Sequence, residues 1–341
     1  MTTSERVESA IADRRAIVND AIEEQLPIKK PERLYAASRY LLDAGGKRLR
    51  PTILLLTAEA ISDVDSMSVE YRAFPSPRGE EVDILSAAVS VETIQSFTLI
   101  HDDIMDDDDL RRGVPAVHKE YDVETAILAG DTLYSKAFEY MLDTGAPAER
   151  SVEALNELAT TCTEICEGQA LDVQFEERTD VTTEEYLEMI EFKTAVLYAA
   201  AASIPAILLG CDSETVDALH GYGLDIGRAF QIQDDLLDLT VPSDELGKQR
   251  GSDLVEGKRT VITLHARNQG VDVEGLVSDS PSDAEIEAAV ERLRDAGSIE
   301  FARDMAHDLV QSGKGRLEVL PQGTPRDLLE EIADYLVDRG Y

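Results

Sequence analysis

The chain has 341 residues, 43% of them hydrophobic, with no enrichment in glycine or proline, which excludes wholesale disorder and allows one large domain or two ordinary ones. Its 69 acidic residues outnumber 32 basic ones, for a net charge of −37, which excludes nucleic acid as a partner because phosphate backbones need a basic footprint. Such a charge destabilises a compact state by self-repulsion, and salt relieves it, since the Debye length shrinks to about 3 Å at 1 M; the composition points to the cytoplasm of a salt-accumulating halophile.

The N-terminus is polar and charged and does not read as a signal peptide. A first helix is predicted over 5–26, from Val7, Ala10, Ile11, Ile17, Val18, Ala21 and Ile22 at helical spacing, with Pro27 and Pro31 at its exit. A second runs from near Pro31 to Gly45-Gly46, and a third opens at Pro51 and continues through the apolar stretch to Ile61. Residues 62–82 carry two prolines, a glycine and clustered charge, and are expected to form an exposed, mobile loop or insertion. Helix returns from Asp83 to about residue 108, then over 122–142, 149–175, 183–209, 213–239, 258–268, 283–296, 298–312 and 325–338. Sustained period-two alternation is scarce, so strand evidence is weak and an all-α single domain over 1–341 is expected. The longest apolar run, Ala195–Leu209, is interrupted by Ser203 and Pro205 and is too short to span a membrane, so it reads as a buried helix in a chain without stable membrane insertion. Cys162, Cys166 and Cys211 are too few and too scattered for a disulfide framework, which fits a reducing compartment; as zinc ligands they lack partners.

Two aspartate clusters stand out. One is Asp102-Asp103-Ile104-Met105-Asp106, continuing through Asp107-Asp108-Asp109; the other is Asp234-Asp235-Leu236-Leu237-Asp238. On a helix, residues four apart share a face, so Asp102 pairs with Asp106 and Asp234 with Asp238. Like charges at that spacing destabilise a helix. Both clusters also end long apolar stretches, at the rim of a core. A solvated acidic face would account for one cluster alone in so acidic a chain, but less well for two of identical spacing. A divalent cation resolves the conflict, because Mg2+ takes a few carboxylate oxygens plus water and phosphate. An EF-hand is excluded by the lack of its glycine. Bases gather nearby: Gly45-Gly46-Lys47-Arg48-Leu49-Arg50-Pro51, then Arg111-Arg112, and Lys193, Lys248 and Lys258 among only nine lysines. Arginine binds phosphate oxygens as a fork and lysine as a point charge.

These motifs, with Gly168-Gln169-Ala170-Leu171-Asp172, Lys193-Thr194, Phe230-Gln231 before the second cluster, and Gly247-Lys248, Gly251-Ser252-Asp253 and Gly257-Lys258 after it, resemble the polyprenyl synthetase family over residues 35–270. The family makes farnesyl, geranylgeranyl and longer diphosphates. The resemblance implies an all-α isoprenoid synthase fold around a deep cavity, in a cytoplasmic homodimer. It implies a trinuclear Mg2+ cluster, with Mn2+ as a substitute, held by Asp102, Asp106 and Asp234 and supported by Asp103, Asp235, Asp238, Asp172 and Asp253. Arg111, Lys193, Lys258 and Lys248 would bind the allylic diphosphate (dimethylallyl, geranyl or farnesyl). Lys47, Arg50, Gln95 and Arg112 would bind isopentenyl diphosphate, although many relatives carry histidine where Gln95 stands. Thr194 and Gln231 would flank the reacting carbons. The departing diphosphate would take the proton, so no general-base histidine is required, and His101, His118, His220, His265 and His307 form no constellation.

Phe97 and Thr98 lie one turn before the first cluster. The single aromatic there resembles archaeal geranylgeranyl synthases and places the chain-length floor at Phe97 and Thr98, for a twenty-carbon product. Farnesyl or mixed short-chain synthesis is the alternative, and an ordinary core role remains open for Phe97. A terpene cyclase of the same fold is disfavoured by the second Asp-Asp-x-x-Asp and by Lys47 and Arg50. A non-catalytic partner subunit need not keep both clusters, and a calcium buffer leaves the bases unexplained.

Overall fold

The computed structural model describes residues 2–64, 69–176, 178–241, 250–278 and 281–338. Its contacts divide the chain into two compact units: Met1–Cys162 with Ala200–His220 and Glu318–Glu331, and Thr163–Ala199 with Gly221–Leu317 and Ile332–Tyr341.

In the first unit, α1 (Thr3–Gln25) starts two residues earlier than the apolar spacing indicates. Thr2 and Glu5 cap each other's backbone N–H groups there, satisfying donors that the first turn leaves open. Val7, Ala10, Ile11, Val18, Ala21 and Ile22 are buried, as their spacing requires. After α2 (Glu32–Asp43), α3 (Leu49–Ile61) is enclosed on all sides, with Ile53, Leu54, Leu55 and Leu56 wholly buried. This is the pattern of a helix apolar all round.

The described part of 62–82 corrects the expected exposed loop. Phe74–Pro75 (β1) pairs antiparallel with Glu81–Val82 (β2), and Tyr71, Phe74 and Val82 are buried. Tyr71 donates to the buried Glu59 at 2.7 Å, which anchors the segment on α3. The apolar residues were outvoted in the sequence by the surrounding prolines and charge. Residues 65–68 lie outside the described residues.

Asp83 then caps α4 (Ile84–Met105), which packs on α3, on α1 and above all on α6 (Val123–Leu142). The helix expected to reach 108 stops at Met105, with Asp106 as its C-cap and Asp107 in left-handed backbone at φ 53°. A hairpin of β3 (Leu110–Arg111) and β4 (Val114–Pro115) follows, with Arg112 and Gly113 at φ 55° and 77°. Positive φ at both central residues is the mark of the type I′ hairpin turn, whose twist matches that of the strands. Strands of two residues carry no alternation to read, which is why the sequence shows no hairpin here. A short α5 (Val117–Glu120) leads into α6.

The second unit contains most of the remaining helix. α7 (Ala148–Glu176) and α10 (Ser213–Thr240) each contribute their C-terminal part to it. α8 (Thr183–Ile190) passes through a π-helical turn, Glu191–Ala195, into α9 (Val196–Leu209) without a break, and α9 belongs to the first unit from Ala200 onwards. The short α11 (Ser252–Val255) precedes α12 (Val261–Asn268), which packs on α8, on α13 (Asp283–Asp295) and on α14 (Ser298–Arg316). The last helix, α15 (Thr324–Val337), spans residues of both units.

Among the described residues the only strands are the two hairpins, so the all-α expectation holds. Ile84–Met105 and Thr183–Leu209 are long and apolar enough to cross a membrane, but 78% and 83% of their apolar windows are buried inside the protein.

Candidate active site

The first unit carries the Gly45-Gly46 loop, the first aspartate cluster and the hairpin that follows it. Gly45 and Gly46 sit at φ 97° and 133°, backbone that only glycine adopts freely. A Cβ on Gly46 would lie 2.9 Å from the Arg112 guanidinium. Arg112 donates to the Leu41 and Gly45 carbonyls and lies 3.8 Å from Glu92. Burial lowers its pKa, with Glu92 opposing. Arg48 is 3% exposed and is spent on structure, donating to Glu92 at 2.6 Å, to Asn19 and to the Leu42 carbonyl. Within the basic loop, Arg48 thus holds the turn, while Lys47 is exposed and Arg50 half-buried at the start of α3; Arg112 reaches the loop carbonyls from the hairpin. The sequence offered no signal for Glu92, a carboxylate buried on an apolar helix to neutralise two arginines.

On α4, Gln95 is half-buried and Thr98 donates its hydroxyl back to the Gln95 carbonyl at 2.9 Å. Phe97 has aromatic neighbours in space. Its ring meets His101 at 4.9 Å and Tyr134 of α6 at 5.2 Å, and Tyr134 meets Phe138 at 5.1 Å.

Asp102 is half-buried and Asp106 exposed, one turn apart at the end of α4. Asp103 is wholly buried and accepts from Arg111 Nε at 2.6 Å, while Arg111 Nη2 donates to Asp108. Burial raises the Asp103 pKa and Arg111 opposes the rise. Lys119 bridges Asp107 and Asp109 at 2.7 and 3.1 Å. The extra acids of the run are therefore paired within the hairpin and α5.

The second unit gathers most of the remaining expected residues. A cavity of about 110 Å³ is lined by Asp172, Lys193, Thr194, Gln231, Asp235, Asp253 and Lys258. Tyr186, Arg259 and Thr260, which the sequence did not single out, line it too. Lys193 and Thr194 sit in the π turn, a feature frequent at functional sites. Glycines make room for it: a Cβ on Gly168 would fall 2.2 Å from the Lys193 nitrogen, and one on Gly227 would fall 2.5 Å from Ala195 Cα. Lys193 donates to Asp172 at 2.5 Å. Thr194 donates to Gln231 Oε1 at 3.0 Å, and Gln231 donates to Asp235 Oδ1 at 3.1 Å. The other Asp235 oxygen accepts from Tyr186 at 2.5 Å. Asp238 is buried and accepts from the Ser252 hydroxyl at 2.7 Å and the Asp253 N–H at 3.1 Å, which pins the loop carrying Asp253 and Lys258. Lys258 lies 2.9 Å from Glu256 and 3.7 Å from Asp253. Asp234 is half-buried on α10. Lys248 lies outside the described residues.

One division recurs in both clusters. Asp103, Asp235 and Asp238 face inwards onto Arg111, Tyr186 and Ser252, whereas Asp102, Asp106 and Asp234 reach more solvent. Carboxylate oxygens within reach of solvent are the hard donors that Mg2+ prefers. Among the described residues no group of three or more His, Cys, Asp or Glu is gathered to hold a metal by itself, so water or phosphate oxygens would have to complete its coordination.

Residues 31–293 match the polyprenyl synthetase family. The chain is 82% identical over 341 residues, all of both chains, to the geranylfarnesyl diphosphate synthase of Natronomonas pharaonis. Among solved structures it is similar to the geranylgeranyl pyrophosphate synthetase of the archaeon Geoglobus acetivorans, with TM-score 0.87 and 45% identity over 96% of this chain and 99% of that one. It is also similar to the geranylgeranyl pyrophosphate synthase of Corynebacterium glutamicum complexed with isoprenyl diphosphate and magnesium, with TM-score 0.80 and 29% identity over 98% and 99%. A chain with both aspartate clusters at the ends of buried helices, and with this likeness along nearly its whole length, belongs to the polyprenyl synthetase family and has its all-α isoprenoid synthase fold.

Proposed function

We propose that this enzyme condenses isopentenyl diphosphate with dimethylallyl, geranyl and farnesyl diphosphates, head to tail, and extends the chain to geranylfarnesyl diphosphate. The 82% likeness to a protein of that name favours twenty-five carbons over the twenty expected from Phe97 alone. Geranylgeranyl diphosphate is the second reading, favoured by the name of the Geoglobus relative. The observation that carries the chemistry is the convergence of Lys193, Thr194, Gln231, Asp235 and Lys258 on one cavity.

Lys193, Lys258, Lys248 and Arg111 bind the allylic diphosphate, and Lys47, Arg50, Gln95 and Arg112 bind isopentenyl diphosphate. Bound by Asp102, Asp106 and Asp234, Mg2+ would neutralise charge on the leaving diphosphate. The lysines and Arg111 add preorganised positive charge at the same leaving group. The hydroxyl and amide dipoles of Thr194 and Gln231 stand beside the allylic carbon as its C–O bond breaks. The isopentenyl double bond attacks that carbon, and the proton then lost passes to the departing diphosphate. Asp103, Asp172, Asp235, Asp238 and Asp253 keep the metal-binding and basic side chains in place.

We read the whole chain as one cytoplasmic catalytic domain, since the family match runs through both units. A homodimer is supported by exposed apolar residues along α6, among them Val123, Ile127 and Leu128. The test is incubation with labelled isopentenyl diphosphate and each allylic primer, in high salt with Mg2+, followed by chromatography of the products. A linear twenty-five-carbon diphosphate is expected, and Phe97→Ser should lengthen it. Absence of incorporation, or cyclised hydrocarbon, would overturn the assignment; products ending at twenty carbons would leave the second reading.

A further inference from the structure

We propose that Tyr186 is a positioning residue: its hydroxyl fixes α8 to Asp235 on α10, and so sets where Lys193 meets a metal-bound diphosphate. This rests on the diphosphate reading above. Tyr186 is 2% exposed, and a phenol buried that deeply must donate to something. It donates to an Asp235 side-chain oxygen at 2.5 Å, at the short end of hydrogen-bond distances.

The bond closes a ring of contacts. From Tyr186 it runs to Asp235, then to Gln231 at 3.1 Å, then to Thr194 at 3.0 Å, which is eight residues along the same continuous helix as Tyr186. The helix is therefore tied to α10 on both sides of the start of its π turn. That turn carries Lys193, and Tyr186 and Lys193 line the same cavity. A π turn holds its extra residue only while its surroundings support it. Without the phenol, Asp235 keeps Gln231 alone, and one buried oxygen loses its donor. Both the rotation of α8 and the placing of the neighbouring Asp234 then loosen.

Tyr186→Phe removes the hydroxyl and keeps the ring. Calorimetric titration of the full chain with inorganic pyrophosphate and Mg2+, in high salt, is expected to show binding about tenfold weaker than wild type. KM for the allylic substrate should rise while KM for isopentenyl diphosphate stays unchanged, a split that a general loss of stability would not produce. Should Tyr186→Phe fail to fold, Asp235→Asn takes its place, with the same loss expected because an amide has one oxygen and cannot accept from Tyr186 and Gln231 on separate atoms. Wild-type pyrophosphate affinity in the folded variant removes Tyr186 from this role and leaves the diphosphate reading standing. A wild-type chain that binds no pyrophosphate with Mg2+ sinks the reading and this proposal together.

Discussion

Asp102 sits half-buried on the last turn of α4, where its charge acts on the neighbouring Arg111. Asp102→Ala should lower kcat by about a hundredfold or more while the circular dichroism spectrum and melting temperature hold. Asp235 answers to pH instead. Burial pushes its pKa up to about 8, Asp253 adds to the rise, and hydrogen bonds from Tyr186 and Gln231 oppose it. In the unfolded chain an aspartate ionises near about 3.9. Between those values the folded state holds a proton that the unfolded state has lost, so stability falls as pH rises. Melting of the ligand-free protein should therefore decline from about pH 4 towards about pH 8, and Asp235→Asn should flatten the slope. An unaltered slope in that variant would assign the pH dependence to other groups. A third residue-scale test concerns Glu59, 0% exposed and 2.6 Å from the equally buried Arg14. Glu59→Ala strands that guanidinium and should cost about 3–5 kcal/mol in denaturant unfolding.

At the scale of elements, the site depends on where helices end or deform. α4 stops at Met105 and yields to a hairpin whose Arg111 turns back onto Asp103. The helical spacing of Asp102 and Asp106 was legible in the sequence because both lie within the last turn and its cap. Asp107–Asp109 looked like more of the same cluster but belong to a different local structure, since a left-handed residue at Asp107 breaks the period. The π turn at Glu191–Ala195 was not legible either, because one extra residue hardly disturbs apolar spacing in a helix buried all round. Its cause lies in its neighbours: Gly168 allows the α7 backbone to approach the Lys193 nitrogen. Gly168→Ala should destabilise the fold by about 1–3 kcal/mol through overpacking. It should also weaken pyrophosphate binding with Mg2+ in the same calorimetric assay; full affinity retained would mean that the turn tolerates the shift.

For the whole molecule, a net charge of −37 governs the response to solvent. The melting temperature should rise steeply as potassium chloride increases from low millimolar to molar concentrations, because screening removes repulsion. Mg2+ with a diphosphate should raise it further, since ligand binds only the folded state. The sequence alone determined the helical class, the order and approximate ends of most helices, and the aspartate clusters and bases proposed to handle diphosphate. Periodicity, capping residues and motif spacing are local properties and survive in one dimension. Tertiary structure decided which of those residues turn inwards: Arg48 and Arg112 onto Glu92, Asp103 onto Arg111, Asp235 onto Tyr186. Each pair joins residues from different elements or from either side of a chain reversal, and only packing selects which buried charge finds which partner.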